Sequence, residues 1–288
     1  MPHINLSFAA CGFLGVYHLG AASALCKHGR KLLKDVKAFA GASAGSLVAS
    51  VLLTAPQKIE ECNKFTYDFA EEIRRQSFGA LTPGYDFMAR LRSGVESILP
   101  ANAHELAHDR LYVSITNTRT RRNCLVSRFP SREDLIQVLL ASSFLPIYAG
   151  LKPVEYKGQK WVDGGFTNSL PVLPAGRTVT ISPFSGRLDV SPQDKGRLHF
   201  YVSITNQDVL RQKLATGLRR RRLMLHRKFC AASEGGSALE LDNFNTLKPK
   251  PSVRASLGSF LMLHHQVVSL AAVQIPARHV ANWMHEWS

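Results

Sequence analysis

Three short glycine-containing segments carry the residues best suited to chemistry. Gly41-Ala42-Ser43-Ala44-Gly45 follows the apolar run Val36–Ala40 and opens the helix-like run Ala44–Leu53. Between a strand and a helix, a G-x-S-x-G segment turns sharply enough to lift its serine hydroxyl above a sheet. Gly41 and Gly45 fit because side chains there would meet neighbouring backbone. Ser43 is therefore a candidate nucleophile for acyl transfer. Chance alone gives such a pattern in about one chain in ten of this length. A small-residue helix entry is the plainer alternative.

An attacking serine also needs donors for the developing oxyanion and a base for its proton. Cys11-Gly12-Phe13-Leu14-Gly15 lies between a strand-like and a helix-like segment. Backbone N–H groups in such a loop can face an anion, and the following helix N-terminus favours negative charge. A dinucleotide loop is the rival, but Ala10 occupies its first glycine position and no acidic residue follows at the ribose distance. The base candidate is Asp163, in Asp163-Gly164-Gly165, with an ordinary Asp-Gly turn as the alternative. His199, His226, His264, His265, His279 and His285 all follow Asp163. None has a loop context that marks it as a triad member, and His18 reads as a packing or capping residue.

These segments need a scaffold. Ile4, Leu6 and Phe8 alternate with Asn5 and Ser7, as in a half-buried strand. Gly15–His28 reads as a helix, Lys27–Lys37 as a basic connection and Val36–Ala40 as the next strand. Pro56 starts a helix running to about Ser77, and Tyr85–Ile98 gives another before Pro100. Leu111–Thr116 and Asn123–Phe129 read as a strand pair around the polar loop Asn117–Arg122. Ser131 opens an apolar helix with a capping-box-like pattern that ends before Pro146. Tyr156–Trp161 reads as a small hairpin turning at Gly158, followed by short strands at Thr178–Ser182 and His199–Ile204. Alternating strands and helices predict an α/β layered fold up to about residue 205.

The 288 residues suffice for one α/β domain and an appendage, and 45% apolar residues allow a large core. Net charge is +15, with 12 of the 36 Lys/Arg but only 5 of the 21 Asp/Glu falling after residue 205. No nucleic-acid motif accompanies this charge, so anionic lipid suits it at least as well. Cys11, Cys26, Cys62, Cys124 and Cys230 are scattered, without C-x-x-C or zinc spacing, which predicts free thiols in a reducing compartment and no metal. The start shows no secretory pattern, and no run of about 18 apolar residues suggests a membrane span. Residues 206–288 form a basic segment with Arg219-Arg220-Arg221-Arg222, a turn-rich stretch and an apolar run at Phe260–Ile275. No strand or helix register joins that segment to the core, and it is expected to be poorly ordered.

The order and spacing of the loop Cys11–Gly15, the elbow Gly41–Gly45 and Asp163-Gly164-Gly165 resemble the patatin-like phospholipase family. Ser142-Ser143-Phe144-Leu145-Pro146 and Trp161-Val162-Asp163 are similar to its animal lipid-hydrolase branch. The resemblance covers about residues 3–205. It implies a three-layer α/β/α domain with a central, mostly parallel sheet over residues 1–205, and a divergent tail over 206–288. It also implies a Ser-Asp dyad in which Ser43 is the nucleophile and Asp163 the base. Cys11, Gly12, Phe13, Leu14 and Gly15 would form the oxyanion hole, with no metal or redox cofactor. Expected substrates are triacylglycerols, retinyl esters or phospholipids, with retinol or diacylglycerol as alcohol acceptors. The expected setting is intracellular, in the cytoplasm and peripheral on lipid droplets, membranes or mitochondria, with no nucleic-acid partner. Ala10 departs from the family's first loop glycine, and the residues after 206 depart from its continuation. A second reading is a lipid-droplet or membrane-binding protein with weak or no catalysis, motivated by leucines among the tail's arginines.

Overall fold

The computed structural model describes residues 3–184, 186, 188–192, 201–204 and 207–210. Its main sheet holds β1 (Ile4–Phe8), β2 (Val36–Ala42), β3 (Leu111–Asn117), β4 (Asn123–Val126), β5 (Val154–Tyr156), β6 (Gln159–Asp163) and β7 (Arg177–Ile181). The strand order is β5-β6-β3-β2-β1-β7, with β4 also paired to β3. Strands β7, β1, β2 and β3 run parallel, whereas β4 and β6 each pair antiparallel with β3. The flanking helices are α1 (Gly15–His28), α2 (Arg30–Asp35), α3 (Ala44–Thr54), α4 (Ile59–Arg75), α5 (Phe87–Ile98), α6 (Ala103–Ala107) and α7 (Arg132–Ser143). This mixed, mostly parallel sheet with helices is the α/β class read from the sequence.

Parallel neighbours need a crossover, and α1 with α2 supplies it between β1 and β2. Strand alternation then assigns side chains to faces. Phe39 of β2 joins the main core with Leu6, Phe8, Val48 and Leu111, while Ala38 and Ala40 pack with Leu173 in a second cluster. Helix α3 follows the elbow directly and is buried along most of its length. Helix α4 instead buries Ile59, Cys62, Phe69 and Ile73 at helical spacing. Glu60 and Glu61 lie in its first turn and Arg74 and Arg75 in its last, matching the helix dipole.

The predicted helices and strands fall close to their observed places, with informative exceptions. The connection Lys27–Lys37 contains α2, a six-residue helix too short to display a hydrophobic period. Helix α6 has five residues and left no signal for the same reason. The helix expected from Pro56 begins as a 3-10 turn, Pro56–Lys58, before α4. β8 (Tyr201–Ile204) and β9 (Gln207–Leu210) pair antiparallel, so this pairing straddles position 205. The expectations for Leu218–Phe229, Ala231–Pro251 and Phe260–Ile275 lie outside the described residues. The four described cysteines, Cys11, Cys26, Cys62 and Cys124, are free thiols.

The start of α7 is fixed by Ser131, whose Oγ accepts from the Asp134 N–H at 3.1 Å. Ser131→Ala removes this cap and should destabilise the domain by about 1 kcal/mol. Thermal unfolding should therefore move down by roughly 2–4 °C. An unchanged melting temperature would mean that the cap contributes nothing.

Candidate active site

The elbow is backbone chemistry before it is side-chain chemistry. Ser43 has φ 54° and ψ −133°, a region costly for any residue bearing a Cβ. The turn is this tight because strand and helix pass almost in contact. A Cβ on Gly41 would sit 2.5 Å from the Gly45 carbonyl carbon, and one on Gly45 would overlap the Phe8 carbonyl oxygen. Such approach leaves room only for glycine at both positions. Ser46 N–H donates to the Ser43 carbonyl at 2.9 Å, and Ser46 Oγ donates to the same oxygen at 2.7 Å. The Ser43 N–H donates to Ser142 Oγ at 2.9 Å, and Ser142 Oγ donates to the Ser114 carbonyl at 2.7 Å. One buried hydroxyl thus ties the elbow, α7 and β3 together.

Strand β3 brings Asp163 to that elbow. Ala42, immediately before Ser43, pairs with Ser114, and Asp163 pairs with the next residue, Ile115. A polar network holds the aspartate's backbone. Thr116 Oγ1 donates to the Asp163 carbonyl at 2.8 Å, and the Asp163 N–H donates to the Phe144 carbonyl at 2.9 Å. Asn123 Nδ2 donates to Ser114 Oγ at 2.8 Å and to Thr167 Oγ1 at 2.9 Å. Gly164 and Gly165 begin a 3-10 turn, and the Gly165 N–H donates to Asp163 Oδ1 at 2.7 Å.

Asp163 is fully buried. Burial pushes its carboxyl up to about 7, while the Ser43 hydroxyl and the Gly165 N–H pull in the opposite direction. The Ser43 hydroxyl is therefore near enough to stabilise the carboxylate, yet Oδ2 has no hydrogen bond of ordinary geometry. Reacting hydrogen bonds are commonly long or misaligned before substrate binds. A carboxylate that titrates near neutrality can take the proton of a neighbouring serine hydroxyl as that hydroxyl attacks. Burial first, and then the Asp163 charge, raise the Cys11 thiol well above its ordinary range, keeping it protonated.

The glycine loop lies alongside. Gly12–Leu14 form a 3-10 turn with Gly12 at φ 54°. Leu14 N–H donates to the Cys11 carbonyl at 3.1 Å, and the Gly15 N–H bonds back to Gly12 and Phe13. Among the described residues, the Gly12 and Phe13 N–H groups have no hydrogen-bond partner. His18 is fully buried, with Nε2 at 2.8 Å from the Ala9 carbonyl. Desolvation lowers its pKa to about 4, so the ring is neutral and Nε2–H donates to the strand end entering the loop. His18 is thus a loop tether, in agreement with its sequence reading.

Ser43, Gly12 and Phe13 open onto a largely apolar cavity of about 120 Å³ between α3, α4 and α5. Phe65, Leu91, Val95 and Ile98 are among its apolar lining residues. Gly94 also lines it, and a Cβ there would overlap the Phe65 ring. Among the described residues, no histidine lines this cavity.

The sequence profile of patatin-like phospholipases matches residues 6–175, more than half of the chain. The chain belongs to the patatin-like phospholipase family. It is 82% identical over 210 residues to human "Patatin-like phospholipase domain-containing protein 4", spanning 73% of this chain and 83% of that protein. Human "Patatin-like phospholipase domain-containing protein 2" is 39% identical over 205 residues, spanning 71% of this chain and 40% of that protein. Human "1-acylglycerol-3-phosphate O-acyltransferase PNPLA3" is 37% identical over 214 residues, spanning 74% and 44% respectively. The match therefore spans less than half the length of these last two relatives.

In this member of the patatin-like phospholipase family, the Ser43 hydroxyl lies near enough to stabilise the Asp163 carboxylate, and Gly12, Phe13 and Gly15 of the loop line the cavity that Ser43 lines, whereas Cys11 and Leu14 do not. Ser142 was missed as a site residue, although its stretch was noticed. Its one signal is a serine placed among the buried apolar positions of α7. The Asn123, Thr116 and Thr167 network was missed too, because its members look like ordinary strand and turn residues.

Asp163 also sets a pH dependence of stability. Its folded pKa, about 7, lies above an unfolded value near 3.9, so the folded state holds the extra proton between these limits. Stability conferred by this group is present below about pH 4 and is lost as pH rises to about 7. Asp163→Asn should therefore gain stability relative to the native chain across that window, by on the order of 4 kcal/mol at pH 8. Chemical denaturation at pH 4 and pH 8 measures this, and a pH-independent difference would contradict it.

Proposed function

We propose that this chain is a lipid acyl hydrolase and acyltransferase working through a Ser43–Asp163 dyad. The observation that carries the reading is a serine in a strained elbow that opens on an apolar cavity, with a buried carboxyl behind it. Family membership supports lipid ester hydrolysis or acyl transfer as the coarse class of activity. Asp163 takes the Ser43 proton as Oγ attacks the ester carbonyl carbon. The Gly12 and Phe13 N–H groups, unspent in the loop turn, receive the oxyanion. Collapse breaks the ester C–O bond, and the proton on Asp163 passes to the departing alkoxide. Water or an alcohol then attacks the acyl-serine, Asp163 takes its proton, and Ser43 recovers a proton as it leaves. Every proton is carried by Asp163, so no histidine is required.

The apolar cavity suits the acyl chain. Triacylglycerol, phospholipid and retinyl ester are the proposed substrates, and retinol or diacylglycerol the proposed acceptors. A lipid surface is the proposed workplace. Among the described residues no helix is long and apolar enough to cross a membrane. The reading as a binder with weak catalysis rested on the arginine-rich tail, outside the described residues, and the paired Ser43 and Asp163 do not favour it.

A fluorophosphonate probe should label the native chain at Ser43. Ser43→Ala and Asp163→Asn should each lower ester hydrolysis by about a thousandfold or more while the fold persists. The native rate should rise with pH along a limb centred near 7, where Asp163 loses its proton. Undiminished turnover by purified Ser43→Ala protein would reject the dyad.

A further inference from the structure

The cavity contains a polar group that the acyl chemistry does not use. Four of its lining residues besides Ser43 bear hydroxyls: Ser50, Thr66, Ser143 and Tyr148. Ser50 Oγ donates to the Leu47 carbonyl at 2.7 Å, Thr66 Oγ1 to Cys62 at 2.8 Å, and Ser143 Oγ to Leu139 at 3.0 Å. These three hydroxyl protons are committed to their own helices. Tyr148 differs, because the residue is 9% exposed and its OH is buried with no hydrogen-bond partner. A buried hydroxyl without a partner is unfavourable, and in a binding cavity it marks a place where a ligand atom completes the pair.

Aromatic packing locates that place. Phe13 of the loop packs edge-on against Phe69 at 5.5 Å, Phe69 against Phe87 at 5.0 Å, and Phe87 against Tyr148 at 5.4 Å. All four residues line the cavity. Two intervening rings, Phe69 and Phe87, thus link Phe13, in the loop proposed to hold the scissile carbonyl, to Tyr148. Beyond Tyr148 the surroundings become polar. Tyr85 feels Glu72, Arg90 and the Tyr148 phenol, and Arg90 Nε pairs with Glu72 Oε2 at 2.8 Å. Burial holds the Tyr148 phenol up at about 12, so it stays a neutral donor.

We propose that the Tyr148 hydroxyl is a second recognition point, donating a hydrogen bond to an acceptor oxygen of the bound lipid other than the scissile ester. This rests on the acyl-transfer reading of the site and deepens it. The preferred substrate class is then a lipid with at least two oxygenated positions, such as a glycerol diester. An ester of a purely hydrocarbon alcohol leaves the phenol unpaired and gains nothing from it.

The test compares Tyr148→Phe with the native chain on two esters in the same detergent micelles: a 1,2-diacylglycerol and a wax-type ester of matched acyl chain. The variant should lose about tenfold in kcat/KM on the diacylglycerol, the value of one hydrogen bond left unmade, and little on the wax ester. Its melting temperature without lipid should equal or exceed the native value, since an unpaired buried hydroxyl has been removed. A lowered melting temperature would show a structural role and overturn the proposal. An unchanged ratio of the two rates would overturn it while leaving the acyl-transfer reading intact. Hydrolysis of neither ester by the native chain would overturn both.

Discussion

The register of β3 is the constraint on which the site depends. A dyad needs two side chains from distant parts of the chain to meet within a few tenths of an ångström. Here successive residues of one strand do the measuring. Ser114 holds the end of the strand entering the elbow, and Ile115 holds Asp163. A slip of one residue would turn alternate side chains to the other face and separate the pair. The Ser142 hydroxyl reinforces this register from the side, because its two partners are the Ser43 amide and the Ser114 carbonyl. Phe144, just beyond α7, accepts the Asp163 N–H, so the end of that helix touches both halves of the proposed dyad.

Placing a carboxyl at this point works against stability. Among its described surroundings Asp163 receives the Gly165 N–H and the influence of Ser43, but no ion pair offsets its burial. The same lack of a cation makes it useful in the proposed chemistry, since an ion-paired aspartate would be too weak a base near neutral pH. His18, the buried imidazole closest in sequence to the loop, is held neutral and spent on the Ala9 carbonyl. The site therefore concentrates its strain in three features: the Ser43 backbone, the lone carboxyl and the unpaired Tyr148 hydroxyl.

Much of this was legible in the sequence, because the chemistry sits on local motifs. Gly41 and Gly45 record a close approach between chain neighbours, and Asp163-Gly164-Gly165 records a turn. The strands around them alternate clearly enough to give the α/β class. Residues acting across the fold left weaker marks. Ser142 sits beside a second buried serine, Ser143, so its hydroxyl alone does not single it out, and its purpose appears once β3 and the elbow are in place. Thr116 and Asn123 have the composition of any hairpin. The cavity gathers residues from the glycine loop, five helices and the segment after α7, so no window of sequence contains it. Helices α2 and α6 are shorter than two helical turns and carry no period to read.

Gly94 carries a consequence for how such a site could diversify. Glycine inside a helix is unfavourable by roughly 1 kcal/mol relative to alanine. Its presence in α5 lets the Phe65 ring of the neighbouring helix rest against bare backbone. Almost any other residue would displace that ring, and the ring is part of the cavity wall. Part of the chamber wall thus depends on a single methyl-sized gap, remote in sequence from Ser43 and Asp163. Under the proposed function, the acyl-chain wall and the reacting groups then belong to separate parts of the fold, and a lineage could tune one without disturbing the other.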